Sequence, residues 1–211
     1  MDIELIISFL FTSIALALMP GPDNVFVLTE SITKGKRNGI IVSAGLASGV
    51  IIHTILIATG LSILIKQSPL VFNGIKIFGA IYLLYLAYLT YKEEATIVIG
   101  EINSESEIKI KEDWFPLFKQ GFFMNVLNPK VTLFFIAFLP QFVSDDGFPF
   151  FVQIVILGII FMVQAFWVFS LISIVAGSLS KLLNSGKFWK KIKWIKIAVL
   201  TLLAGLLILS T

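Results

Sequence analysis

Long apolar runs separated by short charged segments make up most of the chain. Six of them approach or exceed the roughly 20 residues of helix that cross a hydrocarbon core about 30 Å thick. They predict spans at about 3–29, 40–65, 70–91, 122–143, 150–178 and 194–209. Several exceed the minimum, so tilt or local breaks are expected within them.

Two of the runs are interrupted in the same way. Met19-Pro20-Gly21-Pro22-Asp23-Asn24 breaks the first, and Asn125-Val126-Leu127-Asn128-Pro129-Lys130 breaks the fourth. Pro20 has no N–H for the carbonyl of Leu16, Pro22 has none for Leu18, and Pro129 frees the carbonyl of Asn125. Gly21 adds backbone freedom between the first two prolines. In hydrocarbon such groups must find protein partners or line a wet cavity. Each break carries a charge, Asp23 in one and Lys130 in the other, 107 positions apart and so about half the chain.

Composition fits this pattern. The chain is 57% hydrophobic and 14% charged, with a mean hydropathy of +0.97. Soluble domains have about 45–50% apolar and about 25% charged residues, so an all-α polytopic membrane protein is expected. The 20 phenylalanines serve as lipid-facing and packing side chains. With no cysteine, the chain has no disulfide, thiolate metal site or redox dithiol. The acidic start Met1-Asp2-Ile3-Glu4 lacks the positive segment of a secretory signal, so the first run is expected to be a retained helix. A net charge of +3 is better explained by membrane topology than by nucleic acid, which is not an expected partner.

The loop charges set an orientation. Lys34, Lys36 and Arg37 follow the first span, Lys92, Lys109, Lys111 and Lys119 the third, and Lys181, Lys187, Lys190, Lys191, Lys193 and Lys196 the fifth. The even-numbered loops hold only Lys66, with Asp145 and Asp146 after span four. Cytoplasmic loops are enriched in Lys and Arg, so the odd loops are expected inside and both termini outside, in the cell's inner (plasma) membrane. The polar linker at 92–117 divides the chain into halves, 1–91 and 118–211, of three spans each. An odd number of spans per half makes the halves run in opposite senses. Six helices arranged as two inverted-topology three-helix repeats are therefore expected, with the paired breaks near the midplane. The linker is read as a solvated connector, with a docking segment as the other reading.

The breaks also have matching depth. Asp23 lies eleven residues before Lys34, and Lys130 eleven after Lys119. At ~1.5 Å per residue each sits roughly 16 Å inside the cytoplasmic edge. An unpaired charge there costs ~2.5–3.5 kcal/mol even on the lenient insertion scale, so partnership with each other or with a charged substrate is expected. A zwitterionic amino acid suits such a pair: Asp23 for its ammonium, Lys130 for its carboxylate, with Asn24, Asn125 and Asn128 as further donors and acceptors. Asp23 is also a candidate to carry a coupling proton. Plainer roles stand beside these. Asp23 can cap the second half-helix, Lys130 can snorkel to the interface, and the asparagines can bond between helices.

Four other positions stand out. His53, the lone histidine, lies mid-span and is a candidate for proton coupling or for packing. Gly45 and Gly49 form a G-x-x-x-G suited to close packing within the fold, or to a homodimer. Gln164 beside Trp167 is a further candidate for the substrate cavity. Glu30 reads as a solvated helix terminus.

The segments Leu18-Met19-Pro20-Gly21-Pro22-Asp23-Asn24 and Gly121-Phe122-Phe123-Met124-Asn125-Val126-Leu127-Asn128-Pro129-Lys130 closely resemble those of the LysE/RhtB family of bacterial amino-acid exporters. Phe134-Phe135-Ile136-Ala137-Phe138-Leu139-Pro140-Gln141-Phe142 resembles the continuation of the second signature, and Lys34-Gly35-Lys36-Arg37-Asn38-Gly39 with Gly45 and Gly49 also fits the family pattern. The resemblance implies a six-helix inner-membrane exporter of amino acids or close derivatives (homoserine, threonine, leucine or lysine type), driven by protons and without a cofactor. The alternative is an exporter of another small solute or a metal ion on a related fold. A metal exporter would need clustered ligands, and one His with one deep Asp does not supply them. An enzyme is not expected, since no paired catalytic carboxylates, Ser–His grouping or H-E-x-x-H occurs.

Overall fold

A computed structural model describes residues 2–19, 21–61, 69–92, 113–144, 147–183 and 186–209. Pro20, Lys66, most of the 92–117 linker and Asp145 with Asp146 lie outside the described residues. The described chain is all helical, with no strand. Its α-helices are α1 (Ile3–Leu18), α2 (Pro22–Lys34), α3 (Lys36–Leu56), α4 (Pro69–Lys92), α5 (Trp114–Val126), α6 (Pro129–Ala137), α7 (Phe150–Leu183) and α8 (Gly186–Leu209). A π-helical turn, Ile57–Leu61, extends α3, and a 3-10 turn, Leu139–Phe142, follows α6.

Both expected interruptions are present as helix ends. The first run forms α1 and α2, whose axes differ by 60°, and the fourth forms α5 and α6. Two boundaries differ from the apolar pattern. α5 starts at Trp114, inside the expected linker, on the apolar stretch Trp114-Phe115-Pro116-Leu117-Phe118, and α8 starts at Gly186, ahead of Trp194, because lysines are good helix formers.

The outer surface is apolar. Ile3, Ile7, Phe11 and Leu18 of α1 are exposed along one face, as are Ile159, Val163, Trp167, Leu171 and Ile174 of α7. Water would not favour such faces at helical spacing, whereas lipid does. Among the described residues, Lys36–Gly60 and Phe150–Ala176 are each long and apolar enough to cross a membrane, and the bent α1–α2 pair makes a third if it is one span. The protein is a membrane protein on these grounds.

At the centre α3 packs on α5 and α7, α1 and α2 pack on α7, and α4 packs on α8. Glycines allow the closest approaches. Gly45 lies against the backbone of Phe118, Gly49 against Asn125, and Gly121 against α3. The G-x-x-x-G face is thus buried inside the chain. These contacts show that α3 and α5 run in the same direction. Phe9 near Phe161 and Ser31 bonded to Ser173 show the same for α1–α2 and α7. Gly39 against Ser173 and Thr54 against Gly158 show that α3 and α7 run oppositely.

Candidate functional site

The two breaks are built alike. α1 ends at Leu18, and the Met19 N–H bonds back to the carbonyls of Ala15 and Leu16. Extended Gly21 then leads into α2, whose first residue is Pro22 and second is Asp23. In the other half α5 ends at Val126, Asn128 is the N-cap of α6, Pro129 is its first residue and Lys130 its second. Proline suits a first helical position, where its missing N–H would have had no intrahelical partner. Asp23 and Lys130 therefore hold the same position in two half-helices of opposite charge.

The second half-helices bring these residues together. Lys130 Nζ lies 3.9 Å from Asp23 Oδ2, and both side chains are buried. Asn128 Nδ2 donates to the same Oδ2 at 2.7 Å, and Asn128 Oδ1 accepts from the Lys130 backbone N–H at 3.0 Å. Lys130 Nζ also donates to the carbonyls of Leu16 and Met19, each at 3.4 Å. The ammonium passes Gly21 closely, within 3.4 Å of where a Cβ would sit. The Leu16 carbonyl is the one that Pro20 leaves without its i+4 helical donor. Lys130 thus rests on the carbonyl end of α1, where the helix dipole favours a cation. Asp23 sits in the first turn of α2, where it favours an anion.

The carbonyl freed by Pro129 has its own partners. Asn125 O accepts from the Asn128 N–H at 2.9 Å and lies 3.3 Å from His53 Nε2. A carbonyl only accepts, so this contact makes Nε2 the protonated ring nitrogen. His53 is buried, with its ring 5.6 Å from that of Phe135. Asn24 Nδ2 donates to Ala17 O at 2.9 Å, near the end of α1. Asp23, Asn24, Asn125, Asn128, Lys130 and His53 thus belong to one buried region, while Pro22 and Pro129 beside it are exposed.

Gln164 stands apart. It is buried on α7, and neither amide atom has a partner among the described residues. The α3–α7 register puts it opposite the 47–49 stretch of α3, while Trp167 is exposed. Glu30 departs from expectation. It is 9% exposed and pairs with Lys34 at 3.4 Å, one helical turn on, because α7 and α3 cover that side of α2.

Packed contacts lie on either side of the site along the helices. Toward the start of α1, Phe9 packs on Phe134, Phe142 and Phe161 with ring centroids 5.3–6.4 Å apart. Toward the end of α2, Ser31 Oγ donates to Ser173 Oγ at 2.9 Å, and Ser173 Oγ donates to the Lys36 carbonyl at 2.8 Å. The apolar pattern could not single out these phenylalanines or serines. The Leu16 carbonyl was findable, since Pro20 marks it. No three His, Cys, Asp or Glu side chains are grouped among the described residues.

A family model described as LysE type translocator matches residues 14–211, which include both breaks and the side chains named above other than Phe9. The chain belongs to the LysE translocator family. A relative in Salmonella typhimurium, a homoserine/homoserine lactone efflux protein, is 33% identical over 75% of this chain and 74% of its own length. A leucine efflux protein of Salmonella choleraesuis is 31% identical over 65% of this chain and 62% of its own. An uncharacterised membrane protein of Bacillus subtilis is 28% identical over 83% and 84%. No solved structure matches this chain.

Proposed function

We propose that this translocator exports amino acids or close derivatives from the cell, with Asp23 and Lys130 at the centre of one site. The observation that carries this reading is the meeting of two oppositely charged residues at the second position of two matched half-helices. Neither the breaks nor the buried charges are needed to fill a membrane core, and both are costly there. The names of the relatives, which transport homoserine, its lactone and leucine, support amino acids and their derivatives as the substrate class.

The helix directions support two inverted repeats. α1 and α2 run alongside α7, and α5 and α6 run alongside α3 in the same manner. A half-turn about an axis between α3 and α7 would, on this reading, exchange the two arrangements, with α4 paired to α8 across it. On this reading the chain has six spans in halves 1–91 and 118–211, with both termini outside the inner membrane. Transport then proceeds by alternating access, as one half rocks against the other around a fixed midplane site.

A proton and the substrate would successively break the Asp23–Lys130 pair, with Asp23 carrying the proton. His53 is a tether for the second break on this reading, since its contact is with the carbonyl that Pro129 frees.

The test is an efflux screen of amino acids in a host lacking its own exporters, followed by the purified protein in proteoliposomes with an imposed pH gradient. The reading predicts efflux of at least one amino acid that speeds up when the gradient is applied. Efflux of none would sink the exporter reading. Efflux indifferent to the gradient would sink proton coupling alone.

A further inference from the structure

We propose that the site recognises its substrate by the ammonium group and does not require a free carboxylate. The proposal rests on the exporter reading and deepens it. Its basis is the set of buried polar atoms left without partners at the breaks.

Buried polar side-chain atoms nearly always have a hydrogen-bond partner, so exceptions call for an explanation. Three exceptions lie on the two broken segments: Asp23 Oδ1, Asn24 Oδ1 and Asn125 Oδ1. Their residues are 1%, 5% and 2% exposed. Asp23 Oδ1 and Asn24 Oδ1 are acceptors. The Asn24 assignment is fixed by its other amide atom, which donates to Ala17 O.

The side-chain donors nearby are already engaged. Asn128 Nδ2 is bonded to Asp23, and Asn24 Nδ2 to Ala17. Lys130 would be the natural anchor for a substrate carboxylate, yet its ammonium faces the Leu16 and Met19 carbonyls and Asp23 Oδ2. A carboxylate offers only acceptors and would enter a place already rich in acceptors, beside an anion. An ammonium brings three N–H donors and a positive charge.

Lys130 shows what these oxygens hold. Its contacts, at 3.4 to 3.9 Å, are longer than the ~2.7–2.9 Å of a well-formed charge-assisted hydrogen bond, so they are readily exchanged. The Lys130 ammonium is a tethered stand-in, and the ammonium of the substrate takes its place against Asp23. The side chain and carboxyl end of the substrate are left to less demanding surroundings.

The experiment is counterflow into proteoliposomes of the full-length protein, with radiolabelled homoserine and leucine as tracers. Each tracer is competed with its parent, its primary amide (ammonium kept, carboxylate lost) and its N-acetyl form (carboxylate kept, ammonium lost). The amide should compete within a few-fold of the parent. The N-acetyl form should be weaker by about tenfold or more, the loss expected when bonds to a charged group are removed. An N-acetyl form that competes as well as the parent, or an amide that fails where the parent succeeds, overturns the proposal. Failure of every parent amino acid in the efflux screen counts against the exporter reading itself, which no result with the derivatives would do.

Discussion

Asn128 joins the two halves of the chain at Asp23. Its Nδ2 donates to the carboxylate at 2.7 Å, while its Oδ1 caps α6 by accepting from the Lys130 N–H at 3.0 Å. One side chain therefore fixes both where α6 begins and where Asp23 points. Replacing it separates the two tasks. Asn128→Asp keeps a capping oxygen but sets a second carboxylate against Asp23, whereas Asn128→Ala removes cap and donor together. The Ala variant should be less stable by roughly 1–3 kcal/mol, the cost of a lost cap and an unpaired buried group. Asp should restore the cap but not export, as thermal melts in detergent and efflux assays would show. An Asn128→Asp variant exporting at the wild-type rate would contradict this role.

The buried charges are expected to be strongly coupled. Removing one partner of a buried pair leaves an uncompensated charge and typically costs about 3–5 kcal/mol, whereas removing both is often nearly neutral. Asp23→Asn and Lys130→Met should each lower the yield of folded protein. The double variant should recover most of that yield without recovering export. Equal yields for single and double variants, measured by size-exclusion chromatography of the membrane extract, would show that the two charges do not depend on each other.

His53 should act through its donor and not through a proton it releases. His53→Gln offers an amide N–H toward the Asn125 carbonyl and should retain most export. His53→Leu leaves that carbonyl with fewer donors and should lose stability by about 1–3 kcal/mol. Complete loss of export in a well-folded His53→Gln variant would point instead to proton transfer.

Gly45 is packed against the backbone of Phe118, so any side chain there must push α3 and α5 apart. Gly45→Val should cost about 1–3 kcal/mol or more, as overpacking does. Gly60, with open space where a Cβ would sit, should accept alanine with little change. Similar melting temperatures for the two variants would contradict the packing account.

The breaks were legible in the sequence because proline and charge are conspicuous in an apolar run. Their spacing also foretold that Asp23 and Lys130 share a position in matching half-helices. The contacts that complete the region were not legible. That His53 reaches Asn125, and that Lys130 rests on the end of α1, depends on how distant helices cross. Gly45 and Gly49 marked a close approach but not its partner, α5. Phe9 and Phe161 look like any other of the many phenylalanines until packing separates buried faces from lipid-facing ones. Glu30 was misjudged because a charged residue near a helix end is usually solvated, and here neighbouring helices cover it.

Efflux by charge-neutralised variants tests the central claim most directly. Asp23→Asn and the Asp23→Asn/Lys130→Met double variant, each confirmed as folded in the membrane, would be compared with wild type for export of the amino acid found in the screen. A site built on these two residues predicts export reduced by about tenfold or more in both, as expected when a charged contact to the substrate is lost. Folded variants that export at the wild-type rate would contradict it.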